Sequence, residues 1–425
     1  MQRRELLGSL LAGGSLAAIG ACTSLPSRPK AGRVIVVGGG YGGATAAKYL
    51  RLFSDQTLDV VLIEPQPAFI SSPLSNRVNG GQMQLSQLTV SYDGLRHAHG
   101  VHVLRDRVTA IAVDRQVVRL ASGKILHYDK LVLSPGIEPM LDTIPGLAEG
   151  QASGRILQAW SAGSETVALR RQLQAMPDGG VFVITIPESP YRCPPAPYER
   201  ASLVAAYCKQ FKPRSKVLVL DANQDVIAMG ALFKKAWSEL YAGLLEYRNH
   251  YVLTGVDSGS LTAHFDVADD VRADVLNVMA PVRAGRLAVE SGLATINERW
   301  CEVDFLTFES TLAANVHIVG DSIHAAPGMP KSGFMANAHA KVAAAAIAAQ
   351  LSGQSLNTEP KLANTCYSFV SQSEAIHSAA VYGYVADAKT FKPIPGAGGV
   401  SQARSTLEAQ YADAWAHNIW ADMLA

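Results

Sequence analysis

The chain has 425 residues, which is too long for one compact core, so two or three domains are expected. Its composition, 48% hydrophobic and 17% charged, is ordinary for a globular protein. The formal net charge of +1 gives no overall field that would attract nucleic acid or a membrane surface, which argues against a nucleic-acid partner.

The first 29 residues are interpreted as an export signal and linker. Arg3-Arg4 precedes a mildly apolar stretch, Leu6 to Ala21, that is too short to span a bilayer. This arrangement resembles a twin-arginine export signal and predicts periplasmic location. Cys22 stands where lipoproteins are cleaved and would then carry a lipid anchor; simple cleavage near Ala21 is the alternative. No other segment is predicted to span the membrane.

A β-α-β unit is predicted next. Arg33–Val37 is a β-branched run without alternation, which is typical of a buried parallel strand. A glycine-rich turn interrupts it, residues 44–53 have helical spacing, and a second strand at 58–63 ends at Glu64.

The turn contains Gly38, Gly40 and Gly43 in a GxGxxG pattern. In such turns the first glycine permits the bend, the second lets backbone approach a pyrophosphate, and the third lets helix pack on strand. Glu64 would accept hydrogen bonds from an adenosine ribose. Strand, turn, helix and acid together predict a dinucleotide site, against the alternative of a glycine-rich turn without a ligand.

The middle of the chain predicts further strands. Short alternating runs at 101–133 indicate an antiparallel meander, closed by the turn Ser134-Pro135-Gly136. A helix at 165–176 and strands at 181–186 and 216–221 indicate a second α/β domain.

The last third predicts a return to the first domain. A strand at 316–321 is expected to rejoin it, followed by an Ala-rich helix at 336–351. A Pro/Gly loop at 393–399 and an amphipathic helix complete the chain.

The strand predicted at 316–321 favours FAD over a nicotinamide cofactor. Gly320-Asp321 at its end resembles the second flavin-contact motif of two-dinucleotide-domain flavoproteins, in which the Asp binds the ribityl chain; an ordinary surface Asp is the alternative. The turn at Gly136 supports this assignment. In the second domain the strand runs instead into Pro187-Glu188-Ser189-Pro190, and proline has no N–H for a phosphate, so no nicotinamide site is expected there.

Cysteine positions predict neither a metal site nor a covalent haem, because the five cysteines form no CxxC or CxxCH pattern. Cys193 lies in a loop predicted for Tyr191 to Arg200, which three prolines stiffen. Taken alone, Cys193 and Cys366 are each more often buried apolar residues, so the residues themselves leave a bridge between them open.

From about Arg33 to the C-terminus the chain resembles the flavoprotein subunit of flavocytochrome c sulfide dehydrogenase. The segments that match are Arg192-Cys193-Pro194-Pro195, Pro197-Tyr198-Glu199-Arg200-Ala201, Met329-Pro330-Lys331-Ser332-Gly333 and Asn364-Thr365-Cys366-Tyr367-Ser368. The resemblance implies a redox-active disulfide between Cys193 and Cys366 against the flavin. It also implies hydrosulfide as substrate and electron transfer through FAD to a separate c-type cytochrome subunit.

The same resemblance suggests roles for other residues. Glu199 would take protons, or else be a solvated loop carboxylate. Lys331 would stabilise negative charge on reduced flavin, or else be a surface lysine. Trp415 would lie near the flavin, or else in the core. Cys208 and Cys301 are expected to be structural thiols.

One departure concerns the loop after the second strand. There the family often attaches FAD through a cysteine, but Ser72 occupies that position here. Serine lacks the thiolate that forms the thioether, which predicts non-covalent FAD.

The predicted fold class is α/β, with two Rossmann-like dinucleotide-binding domains of the glutathione-reductase-like kind and a C-terminal interface region. The FAD-binding domain is assigned to 30–160 and 302–355, the second domain to 161–301 and the C-terminal region to 356–425. The alternative functions are a sulfide:quinone oxidoreductase-like enzyme and a non-catalytic FAD-binding accessory of a sulfur-oxidation system.

Overall fold

The computed structural model describes residues 31–425, so the predicted export signal and Cys22 lie outside the described residues. The helices of this part are α1 (Tyr41–Phe53), α2 (Ser75–Asn79), α3 (Asp93–His97), α4 (Leu147–Ala152), α5 (Ser164–Ala175), α6 (Ala196–Phe211), α7 (Gly230–Leu240), α8 (Arg286–Glu290), α9 (Gly333–Ser352) and α10 (Thr406–Leu424). Within residues 31–425 no helix combines the length and apolar character needed to cross a membrane.

The strands follow the same chain order. They are β1 (Arg33–Val37), β2 (Asp59–Ile63), β3 (Ala68–Ile70), β4 (Thr89–Ser91), β5 (His102–Leu104), β6 (Val108–Ala112), β7 (Val117–Leu120), β8 (Ile125–His127), β9 (Lys130–Leu133), β10 (Ile137–Pro139), β11 (Val181–Ile186), β12 (Lys216–Asp221), β13 (Leu245–Arg248), β14 (Leu253–Asp257), β15 (Thr262–Phe265), β16 (Val271–Arg272), β17 (Val275–Val278), β18 (Val282–Ala284), β19 (Val303–Asp304), β20 (Glu309–Ser310), β21 (Val316–Ile318), β22 (Lys361–Phe369), β23 (Ala375–Val385) and β24 (Thr390–Val400).

The first domain is built on a seven-stranded sheet in the order β19-β20-β21-β9-β1-β2-β5. The strands from β21 to β5 are parallel, whereas β19 and β20 are antiparallel. β21 lies beside β9 with Val316 opposite Leu131, which confirms the predicted return of the late strand. Helices α1 and α9 pack together, and the Asn337 side chain on α9 donates to the Thr45 hydroxyl on α1 at 2.9 Å.

A second parallel sheet, in the order β13-β12-β11-β17, forms the predicted second Rossmann-like domain. The fold class is therefore the predicted one, while the exact domain boundaries stay a prediction. The antiparallel pair β10 and β18 joins the segments that flank this domain. One continuous apolar core includes residues from both parallel sheets and from the C-terminal sheet.

The predicted antiparallel meander at 101–133 is wrong for its first and last strands. Only β6, β7 and β8 form an antiparallel sheet. β5 and β9 instead join the large parallel sheet. All four residues of β9 are buried, so its apolar run fits a strand covered on both faces rather than a half-exposed meander strand.

The predicted loop at 393–399 is also wrong, because these residues belong to β24. This strand is the edge of a three-stranded antiparallel sheet in the order β22-β23-β24. An edge strand tolerates Pro393 and Pro395 because its outer side forms no ladder, and the register shifts between Ala380 and Tyr382 on β23. Helix α10 packs against this sheet.

Candidate functional site

One cavity of about 740 Å³ receives most of the predicted site residues. Those that line it are Gly40, Glu64, Gly136, Cys193, Glu199, Gly320, Asp321, Cys366 and Trp415. Gly38, Gly43 and Lys331 are not among the lining residues. The volume lies within the range usual for ligand and cofactor pockets, roughly 300–1,000 Å³.

The three glycines of the turn have distinct surroundings. Gly38 has φ of +95°, and a Cβ there would lie 2.3 Å from the Ser134 carbonyl oxygen. A Cβ on Gly43 would lie 1.8 Å from the Gly38 carbonyl oxygen. A Cβ on Gly40 would meet no heavy atom within 4 Å, because that side of the backbone faces the cavity. The open face at Gly40, at the N-terminus of α1, fits the pyrophosphate of a dinucleotide.

Glu64 stands beside this turn at the end of β2. One carboxylate oxygen accepts the Gly39 N–H at 2.7 Å and the other accepts the Gln66 N–H at 2.8 Å. These bonds fix the carboxylate at the cavity wall, and each oxygen keeps a lone pair for a ribose hydroxyl. The geometry fits the predicted ribose contact.

Gly136 and Gly320 place backbone turns at the ends of β9 and β21, with φ of +69° and +81°. Asp321 follows, and its carboxylate lies 3.8 Å from the Arg192 Nε. Burial raises the pKa of Asp321, while the charges of Arg192 and Lys331 oppose that shift. The alternative of an ordinary surface Asp is wrong, because the Asp321 side chain is only 16% exposed.

Cys193 and Cys366 come together at this cavity from distant parts of the chain. Both are free thiols in the structure and both are half-buried. The Cys193 N–H donates to the Lys331 carbonyl at 2.7 Å, and its φ is +51°. Burial raises the pKa of Cys193, and the nearby charge of Cys366 raises it further. The predicted disulfide is therefore compatible with their shared position and stays a prediction.

Cys366 is the better stabilised of the two sulfurs. The Asn364 side-chain nitrogen donates to it at 3.3 Å, and Ser332, the N-cap of α9, donates to the Asn364 amide oxygen. Burial raises the pKa of Cys366, but the bonds from Asn364 and Ser332 lower it. Negative charge that appears on Cys366 is thus met by the Asn364 amide on β22, which Ser332 at the N-terminus of α9 holds in place.

Glu199 lies in the first turn of α6, which begins at Ala196, so the predicted loop ends earlier than expected. It is 7% exposed, and the alternative of a solvated carboxylate is wrong. One oxygen accepts from the Asn76 amide at 2.7 Å and the other from the Phe369 N–H at 2.9 Å. Burial raises the pKa of Glu199, which brings it closer to the working range of a general base.

Lys331 is buried rather than at the surface, being 6% exposed. Its ammonium donates to the carbonyls of Asp321 and Ile323 and lies 3.7 Å from the ring centroid of Trp300. Burial lowers the pKa of Lys331 to about 8. The Lys331 ammonium therefore lies against the backbone of the Asp321 turn. Contact between the Lys331 side chain and the flavin stays a prediction.

Trp415 on α10 lines the cavity together with Phe334 and Tyr367. Its ring centroid lies 6.2 Å from that of Phe334 and 6.4 Å from that of Tyr367. Its indole N–H is buried and has no hydrogen-bond partner among the described residues. The Trp415 N–H, unpaired within residues 31–425 and set in an aromatic cavity wall, is placed to donate a hydrogen bond to a polar atom at the edge of a bound aromatic ring system.

Other predictions concern residues away from the cavity wall. Cys208 and Cys301 are both fully buried, as expected for structural thiols. Between β11 and α6, Pro195 stands at the N-cap and Pro197 in the first turn of the helix, where a phosphate would need N–H donors. No cluster of metal-ligating side chains is present within residues 31–425.

A buried network behind Glu199 was not predicted from the sequence. Arg200 is 2% exposed and donates to the Asn76 amide oxygen at 3.0 Å and to the Asn277 amide oxygen at 2.9 Å. Asn76 therefore joins Glu199 to Arg200. Glu199 and Arg200 both lie in the segment Tyr191 to Arg200 singled out by the sequence, but their partners Asn76 and Phe369 are distant in the chain, which no local pattern reveals.

Three family models match successive parts of the chain. Residues 32–167 match the pyridine nucleotide-disulphide oxidoreductase model. Residues 166–280 match the central domain of the sulfide dehydrogenase (flavocytochrome c) flavoprotein chain. Residues 358–424 match the flavin-binding domain of flavocytochrome c sulphide dehydrogenase. These matches establish FAD as the cofactor.

Curated relatives agree with the models. The chain is 27% identical to the mitochondrial sulfide:quinone oxidoreductase of Mus musculus over 328 residues, which cover 74% of this chain and 70% of that protein. It is 56% identical over 46 residues to the sulfide dehydrogenase (flavocytochrome c) flavoprotein chain of Chlorobaculum thiosulfatiphilum, covering 11% of this chain and 94% of that sequence.

Solved structures support the fold. The sulfide:quinone oxidoreductase of Aquifex aeolicus superposes with a TM-score of 0.75 at 18% identity, covering 92% of this chain and 91% of that one. Putidaredoxin reductase in its complex with putidaredoxin gives a TM-score of 0.66 at 18% identity, covering 90% and 92%. The chain belongs to the pyridine nucleotide-disulphide oxidoreductase family and, within it, is a homologue of the sulfide-oxidising flavocytochrome c sulfide dehydrogenase flavoprotein chains.

Proposed function

We propose that this chain is a periplasmic sulfide dehydrogenase flavoprotein. It oxidises hydrosulfide to polysulfide or sulfur through a Cys193–Cys366 disulfide and passes the electrons to a c-type cytochrome. The observation that supports this most directly is the meeting of both cysteines and Glu199 at the cofactor cavity. Export by the N-terminal segment, with or without a lipid on Cys22, is part of the same proposal.

The first chemical step is thiol–disulfide exchange. Hydrosulfide attacks the Cys193 sulfur, a new S–S bond forms there, and the Cys193–Cys366 bond breaks with its electron pair on Cys366. Cys366 is the better leaving group because Asn364 and Ser332 stabilise its thiolate. The product on Cys193 is a persulfide. Bound FAD supplies the two-electron acceptor that returns the sulfur pair to its oxidised state.

Proton transfer falls to Glu199. Its carboxyl lies at the cavity wall, and the elevated pKa makes its ionised form a stronger base than a solvated glutamate. Asn76 and the Phe369 N–H hold it in place. Glu199 would accept the persulfide proton as a second hydrosulfide attacks the outer sulfur of the Cys193 persulfide. A new S–S bond forms, the bond to Cys193 breaks with its electron pair on Cys193, and the two-sulfur anion HSS− leaves. Both cysteines are then thiolates, and the disulfide re-forms as their two electrons leave for the acceptor.

Anaerobic titration with sulfide tests this proposal. We expect the visible absorption of the FAD-loaded protein to bleach, and Cys193→Ser to slow bleaching by about 1,000-fold or more, because no disulfide remains to be attacked. Cys208→Ala removes a buried thiol that does not line the cavity and should bleach as the wild type does.

The outcomes separate the alternatives. Bleaching that persists in Cys193→Ser would contradict the disulfide mechanism. An unchanged wild-type spectrum would leave the accessory role, or another sulfur compound, as the better account. Quinone reduction is the competing electron transfer, favoured by the exposed Leu407 and Tyr411 on α10, each about half exposed. Mixing the bleached protein with cytochrome c or with a short-chain quinone identifies the acceptor.

The flavin is expected to be non-covalent. Ser72 lines the cavity, and its hydroxyl accepts the Ala162 N–H at 3.2 Å. A serine hydroxyl does not ionise near neutral pH and forms no thioether. Acid precipitation should therefore release all the flavin into the supernatant, measured by its absorbance. Yellow colour that stays with the precipitated protein would contradict this prediction.

A further inference from the structure

The charged side chains around the cavity are mostly acidic. Among the described residues that line it, four are acids and two are arginines: Glu64, Glu165, Glu199, Asp321, Arg192 and Arg200. Hydrosulfide, thiolates and polysulfides are anions, and this surplus of carboxylates would repel them in a site partly shielded from water. An anion that reaches Cys193 therefore needs a nearby cationic side chain that still has N–H donors without a protein partner.

Arg200 does not meet that need. It is 2% exposed, and its guanidinium already donates four hydrogen bonds to buried acceptors. These acceptors are the Asn76 and Asn277 amide oxygens and the carbonyls of Gln158 and Ala159. These four bonds hold the Arg200 guanidinium in place, so it is not available to bind a small ligand.

Arg192 is held much more loosely. Its Nη1 donates to the Ser161 hydroxyl at 3.3 Å, and its Nε lies 3.8 Å from the Asp321 carboxylate. Both distances exceed the roughly 2.7–2.9 Å of a tight charge-assisted bond. Its Nη2 has no hydrogen-bond partner within residues 31–425, and its side chain is 16% exposed. The guanidinium thus keeps donors for a ligand in the cavity.

The charge of Arg192 lies close enough to the reacting Cys193 sulfur to affect its pKa. It directly precedes Cys193, whose backbone is fixed by the bond to the Lys331 carbonyl. Burial and the charges of Cys366 and Glu199 raise the pKa of Cys193, and Arg192 is the neighbouring cation that opposes them. Burial raises the pKa of Asp321, and the same Arg192 charge opposes that rise.

We propose that Arg192 is the anion-recognition residue of this site, which binds the incoming sulfur anion beside the Cys193 sulfur and favours small anionic nucleophiles over neutral ones. This inference rests on the proposed function and specifies its substrate class. No bond forms or breaks in the binding step, and the attack on Cys193 proceeds as described above. The contacts of the guanidinium with Ser161 at 3.3 Å and with Asp321 at 3.8 Å limit its orientation.

Two alkylating reagents that differ in charge test this role without turnover. Iodoacetate and iodoacetamide both displace iodide with the Cys193 thiolate, so a change in thiol pKa affects both rates equally. In the FAD-loaded, phosphine-reduced protein, the ratio of the iodoacetate to the iodoacetamide rate isolates anion binding. Peptide mass spectrometry assigns the label to Cys193, and Cys193→Ser gives the background.

Arg192→Gln should lower that ratio by about tenfold or more, since it removes a unit charge next to the reacting atom. Arg192→Lys keeps the charge and should retain most of the ratio. Arg171→Gln makes the same chemical change at an exposed position on α5 and should leave it unaltered.

An unchanged ratio in Arg192→Gln would overturn the proposal, and so would an equal loss in Arg192→Lys and Arg192→Gln. These results are independent of the sulfide titration. The ratio can fall in a protein that sulfide does not bleach, and bleaching can succeed in a protein whose ratio does not change.

Discussion

Gly43→Ala is expected to destabilise the first domain strongly, and Gly40→Val to weaken FAD binding while leaving the domain folded. At Gly43 the new Cβ would lie 1.8 Å from the Gly38 carbonyl oxygen and 3.3 Å from a Val36 methyl. Backbone cannot move aside as a side-chain end can, so the cost should be at least about 3 kcal/mol. The measurement is the thermal midpoint followed by circular dichroism.

Gly40→Val acts on the cofactor alone. The backbone at Gly40 has φ of −71° and ψ of −167°, which any residue adopts, and its Cβ direction is open. A valine there would occupy the approach of the pyrophosphate and should weaken FAD binding by roughly 100-fold, or about 3 kcal/mol. Gly399→Val, at an exposed and equally open position on β24, is the matched control.

The ratio of flavin to protein, read with the circular dichroism spectrum, separates the two effects. Gly43→Ala should lower both the thermal midpoint and the flavin content. Gly40→Val should lower only the flavin content, and Gly399→Val should change neither. Full flavin content in Gly40→Val would show that the pyrophosphate does not pass this turn.

The parts of the site that sequence could predict are those fixed by local chain geometry. The strand, glycine turn and acid around Gly38 and Glu64 are close in sequence, and each residue type has one strong physical reason for its position. Asp321 could be predicted for the same reason, because the strand, the glycine that turns the chain and the acid are adjacent in sequence.

The parts that sequence could not predict depend on contacts between distant segments. Glu199 and Lys331 are charged residues within two positions of a proline, which favours a solvated segment until the rest of the fold covers them. β24 contains two prolines and three glycines, and only its edge position in the C-terminal sheet lets them stand in a strand.

Arg200→Met should destabilise the protein by about 3–5 kcal/mol, because it leaves several buried acceptors without a donor. Those acceptors belong to the first domain as assigned (Asn76, Gln158 and Ala159) and to β17 of the second sheet (Asn277). The residue thus joins the two domains behind the reacting cysteines.

The free energy of unfolding from urea titration measures the effect, and Arg214→Met is its control. Arg214 is 77% exposed and pairs with Asp178 at 2.8 Å, so its loss should cost no more than about 1 kcal/mol. Asn76 also holds Glu199, so Arg200→Met should additionally slow flavin bleaching by sulfide. Equal and small losses in both variants would mean that water replaces the guanidinium, and that the network does not hold the domains together.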